Sequence, residues 1–198
     1  MIDSKKNYLI HPQVIALFIL LIGVSALFIG FSVSYIYTRV QSGLPAFKIP
    51  PLFIFNTFIL LASSYTLMRS MNCYKDDRTK DYKVNLGLTL LLTIFFLISQ
   101  IIAWKLLYTQ DVFVNHSNMA SYLYLISAVH FAHVIVGIPF LAVFFYKAIK
   151  KMVEPVSVLV YFSDPEKKRK LKLLTIYWHF LDGLWIYLVL FFALNLLF

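Results

Sequence analysis

Val84–Trp104 reads VNLGLTLLLTIFFLISQIIAW, twenty-one residues without an Asp, Glu, Lys or Arg. At about 1.5 Å of rise per residue this run makes a helix of about 30 Å, the thickness of a bilayer's hydrocarbon layer. Its apolar residues come in unbroken runs (Leu90-Leu91-Leu92, Ile94-Phe95-Phe96-Leu97). A membrane β-strand would alternate instead. A helix also closes its own backbone hydrogen bonds, which a segment surrounded by lipid requires. Four more stretches are of the same kind, at about Gln13–Thr38, Ile49–Met68, Met119–Tyr146 and Leu173–Phe198, the last holding one charged residue, Asp182. Together they predict an all-α integral membrane protein, a bundle of five transmembrane helices forming one domain over residues 1–198.

Composition agrees. Of the 198 residues 61% are hydrophobic and 14% charged, and the mean hydropathy is +0.78. Soluble domains carry about a quarter of their residues as Asp, Glu, Lys and Arg, and a chain this short cannot bury so much apolar side chain in one aqueous core. Soluble enzymes and disordered tails are excluded on these numbers. So is a nucleic-acid-binding tail, despite the net charge of +9. Cys73 is the single cysteine, which rules out an intrachain disulfide or a Cys-rich metal site; it reads as a small residue at a helix end. Lys5 and Lys6 before the first apolar run resemble a secretion signal. The run is too long for one and no small-residue cleavage site ends it, so a retained span is expected.

The basic residues give the orientation. Fifteen of the eighteen lie in the tail before the first span and in loops 69–83 and 147–172, against Arg39, Lys48 and Lys105 on the other side. Positive loops stay inside, so the N-terminus and both basic loops are expected in the cytoplasm and the C-terminus outside. Within the second loop, Asp164-Pro165-Glu166 has the order of an N-cap, a first-position proline and a first-turn acid. The last helix is expected to start there, its basic cluster held by anionic lipid or by a partner.

Function should show where polar groups sit at membrane depth, because each is costly there. Asp182 is the one acid inside a span, with His179 three residues before it on the same helical face. His130 and His133 repeat the spacing on the preceding, antiparallel span. Asp182 lies about 5 Å to the cytoplasmic side of its span's midpoint at 1.5 Å per residue, so an Asp182–His133 hydrogen bond is expected. Four such residues could serve as a polar clasp between helices, as a proton-linked or lipid-headgroup site, or as metal or haem ligands. Asn56, Ser63, Ser64 and Gln100 suggest interhelical hydrogen bonds, Trp104 an interfacial anchor, and Pro139 a local kink. Gly23, Ala26, Gly30 and Ser34 form a small-residue stripe suited to close helix contact, within this chain or onto a partner. No glycine-rich phosphate loop, G-x-S-x-G elbow or H-E-x-x-H motif is present. Asn115-His116-Ser117 matches a glycosylation pattern that is frequent by chance.

Tyr177-Trp178-His179-Phe180-Leu181-Asp182-Gly183-Leu184-Trp185-Ile186 closely resembles the YWHFxDxxWI signature of subunit III of the haem–copper terminal oxidases, the family of cytochrome c oxidase subunit III and its quinol-oxidase relatives. His130 to Gly137 is similar to the family's HxxHVxxG helix. Asn56-Thr57, Leu60-Leu61 and Ser63-Ser64 after Pro50-Pro51 are similar to NTxxLLxSS, and Gln100 and Trp104 fall where the family has QxxEW. The resemblance extends over all five spans and fits a compact bacterial form lacking the first two of the family's seven helices. Three departures mark a divergent branch: Gly23-Val24 stands for a S-[ED] pair, Ala103 for the glutamate of QxxEW, and Ser127-Ala128 for TG.

The resemblance implies a non-redox accessory subunit without a catalytic site or metal of its own. Haems and copper would belong to partner subunits. This chain would pack against catalytic subunit I, hold phospholipid in a cleft and support proton uptake and stability in a proton-pumping, oxygen-reducing complex of a bacterial inner membrane. Two alternatives remain: the related accessory subunit of a nitric oxide reductase, and a small membrane cytochrome using His130 or His133 with His179.

Overall fold

Prolines open most of the helices. Pro12, Pro51, Pro155 and Pro165 each start one, where the missing N–H would have gone unpaired and the fixed φ already suits the helix. The computed structural model describes residues 11–43, 50–114 and 117–197. The helices are α1 (Pro12–Ser42), α2 (Pro51–Lys75), α3 (Thr79–Thr109), α4 (Asn118–Lys151), α5 (Pro155–Phe162) and α6 (Pro165–Leu197). All but α5 are long and apolar enough to cross a membrane. The tail with Lys5 and Lys6, Lys48, and Asn115-His116 of the glycosylation pattern lie outside the described residues.

The helices run past the expected spans. The basic loop 69–83 shrinks to the turn Asp76–Arg78, with Asp77 in the left-handed region at φ 55°, a conformation Asp tolerates. Most of 147–172 is helical and contains α5, which hydropathy gave no reason to expect. Charge marks where a chain leaves lipid; it does not end a helix, since Lys, Arg and Met are good helix formers. The expected start of α6 holds: Asp164 Oδ1 accepts from the backbone N–H of Glu166 at 2.9 Å and of Lys167 at 3.3 Å. Asp164 Oδ2 pairs with Lys167 Nζ at 2.9 Å, and that lysine holds the carboxyl below its ordinary range. α4 is capped by Ser117, whose Oγ accepts from Ala120 N at 3.2 Å.

α2 and α3 form a tight hairpin that packs on α4 through α3 and on α6 through α2, and α4 and α6 also pack on each other. α1 lies against α4 and α6 with one buried stripe, Leu21, Val24, Phe28, Ser32 and Tyr35. The small-residue stripe is the neighbouring face. Gly23, Ala26 and Gly30 are exposed, and nothing lies within 4 Å of a Cβ built at either glycine. Among the described residues Gly23, Ala26 and Gly30 therefore form no contact surface within this chain, and Ser34 is half-buried. At the basic end Tyr74, Tyr82, Tyr161 and Phe162 make a buried aromatic cluster beside Cys73, which is itself fully buried.

Candidate functional site

A ladder of polar contacts runs through the bundle. On α6, Trp178 and Trp185 are two turns apart and both buried. A buried indole N–H needs a partner, and α2 supplies both: Trp178 Nε1 donates to Ser63 Oγ at 3.3 Å, and Trp185 Nε1 to Thr57 Oγ1 at 3.1 Å. Ser64 Oγ bonds His179 Nδ1 at 2.5 Å on the same interface. Between α2 and α3, Asn56 Nδ2 donates to Gln100 Oε1 at 2.8 Å, and Thr66 and Thr89 share a hydrogen bond of 2.8 Å. Between α3 and α4, Trp104 Nε1 donates to Ser127 Oγ at 3.0 Å. α1 joins α6 through Tyr187 Oη donating to Ser32 Oγ at 2.9 Å and Arg39 donating to Asn195 Oδ1 at 2.9 Å.

Trp104 is half-buried: its N–H goes to α4, and its ring packs on Phe131 with centroids 5.0 Å apart. Gln100, Asn56, Ser63 and Ser64 bond across helix interfaces as their positions suggested. The contacts of Thr57, Thr66 with Thr89, and Ser32 with Tyr187 were missed; short hydroxyls in a helix carry no signal of which neighbour they meet.

The histidines and Asp182 do not assemble into one constellation. His130 is fully buried against α3 and α6, edge-on to Phe96 at 6.0 Å and tilted on Trp185 at 5.0 Å. His133, one turn along α4, lies 6.2 Å from the Phe28 ring of α1, and its Nδ1 bonds Val129 O of its own helix at 2.7 Å. His179 faces α2. No Asp182–His133 hydrogen bond forms among the described residues. Tyr177 Oη donates to His133 O at 2.9 Å, while His130 packs on Trp185 and Gly137 on Trp178, so α4 and α6 meet in the register that puts His133 level with Asp182. The depth estimate holds, but hydropathy carries no helix rotation, and the rotation of α4 turns the His133 ring toward Phe28 of α1. Asp182 is 4% exposed and its Oδ2 has no hydrogen-bond partner among the described residues; the same holds for both ring nitrogens of His130, Asn56 Oδ1 and Gln100 Nε2. Among the described residues no three His, Cys, Asp or Glu side chains converge as a metal would require.

A second feature is a groove of about 630 Å³ between α1, α4 and α6 at the basic end. Its wall is apolar, with Leu17, Leu20, Val136, Phe140 and Val143, and Lys147, Lys167 and Lys170 stand on its rim with Asp164 and Glu166.

Comparison with known proteins places the chain. The family model of cytochrome c oxidase subunit III matches residues 37–195. The match takes in α2 to α6 and leaves most of α1 outside, so the correspondence of Gly23-Val24 with the family's acidic pair rests on the resemblance alone. Three curated relatives carry the name probable cytochrome c oxidase subunit 3. Those of Rickettsia prowazekii (strain Madrid E), Rickettsia felis and Rickettsia conorii are 28%, 31% and 30% identical over 136 residues, 69% of this chain. The aligned stretch covers 45%, 45% and 44% of those proteins, so the chain spans about half the length of the curated relatives it matches. With the signature Tyr177–Ile186 on α6 and a family match over most of its length, this chain belongs to the cytochrome c oxidase subunit III family.

Proposed function

We propose that the chain is the non-redox accessory subunit of a haem–copper terminal oxidase, seated beside catalytic subunit I in a bacterial inner membrane. Its basic loops face the cytoplasm. One observation within the family frame supports this most: the three buried-span imidazoles are committed to three different interfaces. His130 serves α3 and α6, His133 serves α1, and His179 serves α2. Such an arrangement ties helices together and leaves no pair of imidazoles facing each other across a haem. The haems and copper that reduce oxygen to water reside in the partner subunits. The groove between α1, α4 and α6, apolar with a lysine rim, has the chemistry to hold a phospholipid, and the chain supports proton uptake by the catalytic subunit through the rigidity it lends.

Affinity purification of the tagged chain from its native membrane, in mild detergent, tests the proposal. A haem–copper catalytic subunit should come with it and bring the Soret band; the chain stripped of partners should show none. Stoichiometric haem on the isolated chain would overturn the accessory role. Recovery with a nitric oxide reductase in place of an oxidase would overturn the choice of complex.

A further inference from the structure

α5 and the two residues leading into it carry an aliphatic face that no other described residue covers. Val153, Val156, Leu159 and Val160 are 74%, 74%, 70% and 62% exposed, while Tyr161 and Phe162 are buried against Tyr74 and Tyr82. The helix is pinned in place: Tyr74 Oη donates to Tyr161 O at 2.9 Å, and Lys83 Nζ donates to Met152 O at 2.8 Å. Those anchors also fix its depth. Tyr74 lies near the far end of α2, about 35 Å along the axis from Pro51. That is past the ~30 Å of hydrocarbon yet within the ~40–45 Å that includes the headgroups. α5 is therefore held at headgroup level on the basic side. Lys150 and Lys151 end the helix before it, and Lys167 and Lys168 begin the helix after it. The segment 147–172 has eight basic residues against three acidic ones, and two of the acids, Asp164 and Glu166, already pair with Lys167 and Lys170.

We propose that α5 is an interfacial anchor, its Val153-Val156-Leu159-Val160 face set into the acyl boundary of the leaflet while the flanking lysines bind anionic phospholipid headgroups. An aliphatic face rimmed by lysine at this depth is the pattern of a helix lying in the membrane surface. Protein interfaces favour aromatic residues and arginine and are depleted in lysine. The inference rests on geometry and charge and is independent of which complex the chain joins.

The test uses the full chain reconstituted in vesicles, with spin labels on single introduced cysteines at Val156 and Leu159. A label at Asp76, exposed in the α2–α3 turn, gives the water reference, and one at Ile98, exposed mid-span on α3, gives the lipid reference. Collision rates with oxygen, which partitions into lipid, are compared with those for a water-soluble nickel chelate. The expected result is an oxygen-to-nickel ratio at Val156 and Leu159 severalfold above that at Asp76 and close to that at Ile98. The ratio should rise further when phosphatidylglycerol is added to phosphatidylcholine. Nickel access equal to that at Asp76 would overturn the proposal, and so would shielding from both reagents, which would mean a protein cover. No response to phosphatidylglycerol would overturn the headgroup half of it.

Discussion

The ring of Trp178 lies against the backbone of Gly137: a Cβ on that glycine would sit 2.8 Å from Trp178 Cζ3 and 3.2 Å from Tyr177 Cε1. The indole cannot retreat, because it is buried and its N–H is held by Ser63. Gly137→Ala is therefore expected to destabilise the bundle by about 1–3 kcal/mol through overpacking, more than the ~1 kcal/mol an alanine gains over glycine in a helix. Gly23→Ala, in open space, keeps that gain and should be neutral or mildly stabilising. Unfolding midpoints in a graded denaturing-detergent titration compare the two. Equal shifts would show that this contact does not set the α4–α6 spacing.

Asn56 and Gln100 share the α2–α3 interface through a single amide–amide bond. Asn56→Ala is expected to cost about 1–3 kcal/mol, because it strands a buried Gln100 side chain. Replacing both residues by leucine should recover part of that loss. In a double-mutant cycle the coupling should fall between ~0.6 and ~1.7 kcal/mol, the range for hydrogen bonds between membrane helices. Strict additivity would mean that the amides do not bond.

Ser64 and His179 should couple by a similar amount, since they bond directly across α2 and α6. His133 and Asp182 should not, and their double variant is expected to be additive within ~0.3–0.5 kcal/mol. The same detergent titration measures both cycles. A coupling above ~1 kcal/mol between His133 and Asp182 would restore the clasp that the spacing alone suggested.

Asp164 caps α6 as a carboxylate whose pKa is lowered by Lys167. A lowered pKa gives stabilisation that is complete above the unfolded value and disappears as pH falls through the folded one. The first turn of α6 should therefore be indifferent to pH from neutrality to about 4 and loosen below it. Asp164→Asn should keep the cap and lose the pH response; Asp164→Ala should lose both. Amide exchange of Glu166 and Lys167, corrected for its intrinsic pH dependence, reads the effect.

Five spans were legible because apolar runs of twenty residues or more with at most one charge admit no other structure in lipid, and the start of α6 was legible because Asp164-Pro165-Glu166 states its chemistry locally. Asn56, Gln100, Ser63 and Ser64 were legible as bonding groups because an unpaired polar side chain at that depth is costly. Their partners were not, since which hydroxyl meets which indole depends on helix rotation and register. Asp182 and His133 stand level, as the hydropathy placed them, yet His133 faces α1, because hydropathy says nothing of rotation. α5 was hidden for a different reason: its eight residues are flanked by lysines, and the charge pattern that gives orientation masks a short apolar helix between them.

α1 touches its seat only late in the life of the chain. The hairpin of α2 and α3 can close as soon as both have emerged, but α4 and α6, the helices on which α1 docks, are synthesised after that hairpin. At ~5–20 residues per second the ribosome leaves α1 waiting in the bilayer for roughly 8 to 30 s. A nascent chain halted before Pro165 offers it half a landing place: Tyr35 can meet Tyr122 of α4, but Ser32 lacks Tyr187 and Tyr35 lacks Phe191 and Phe192 of α6.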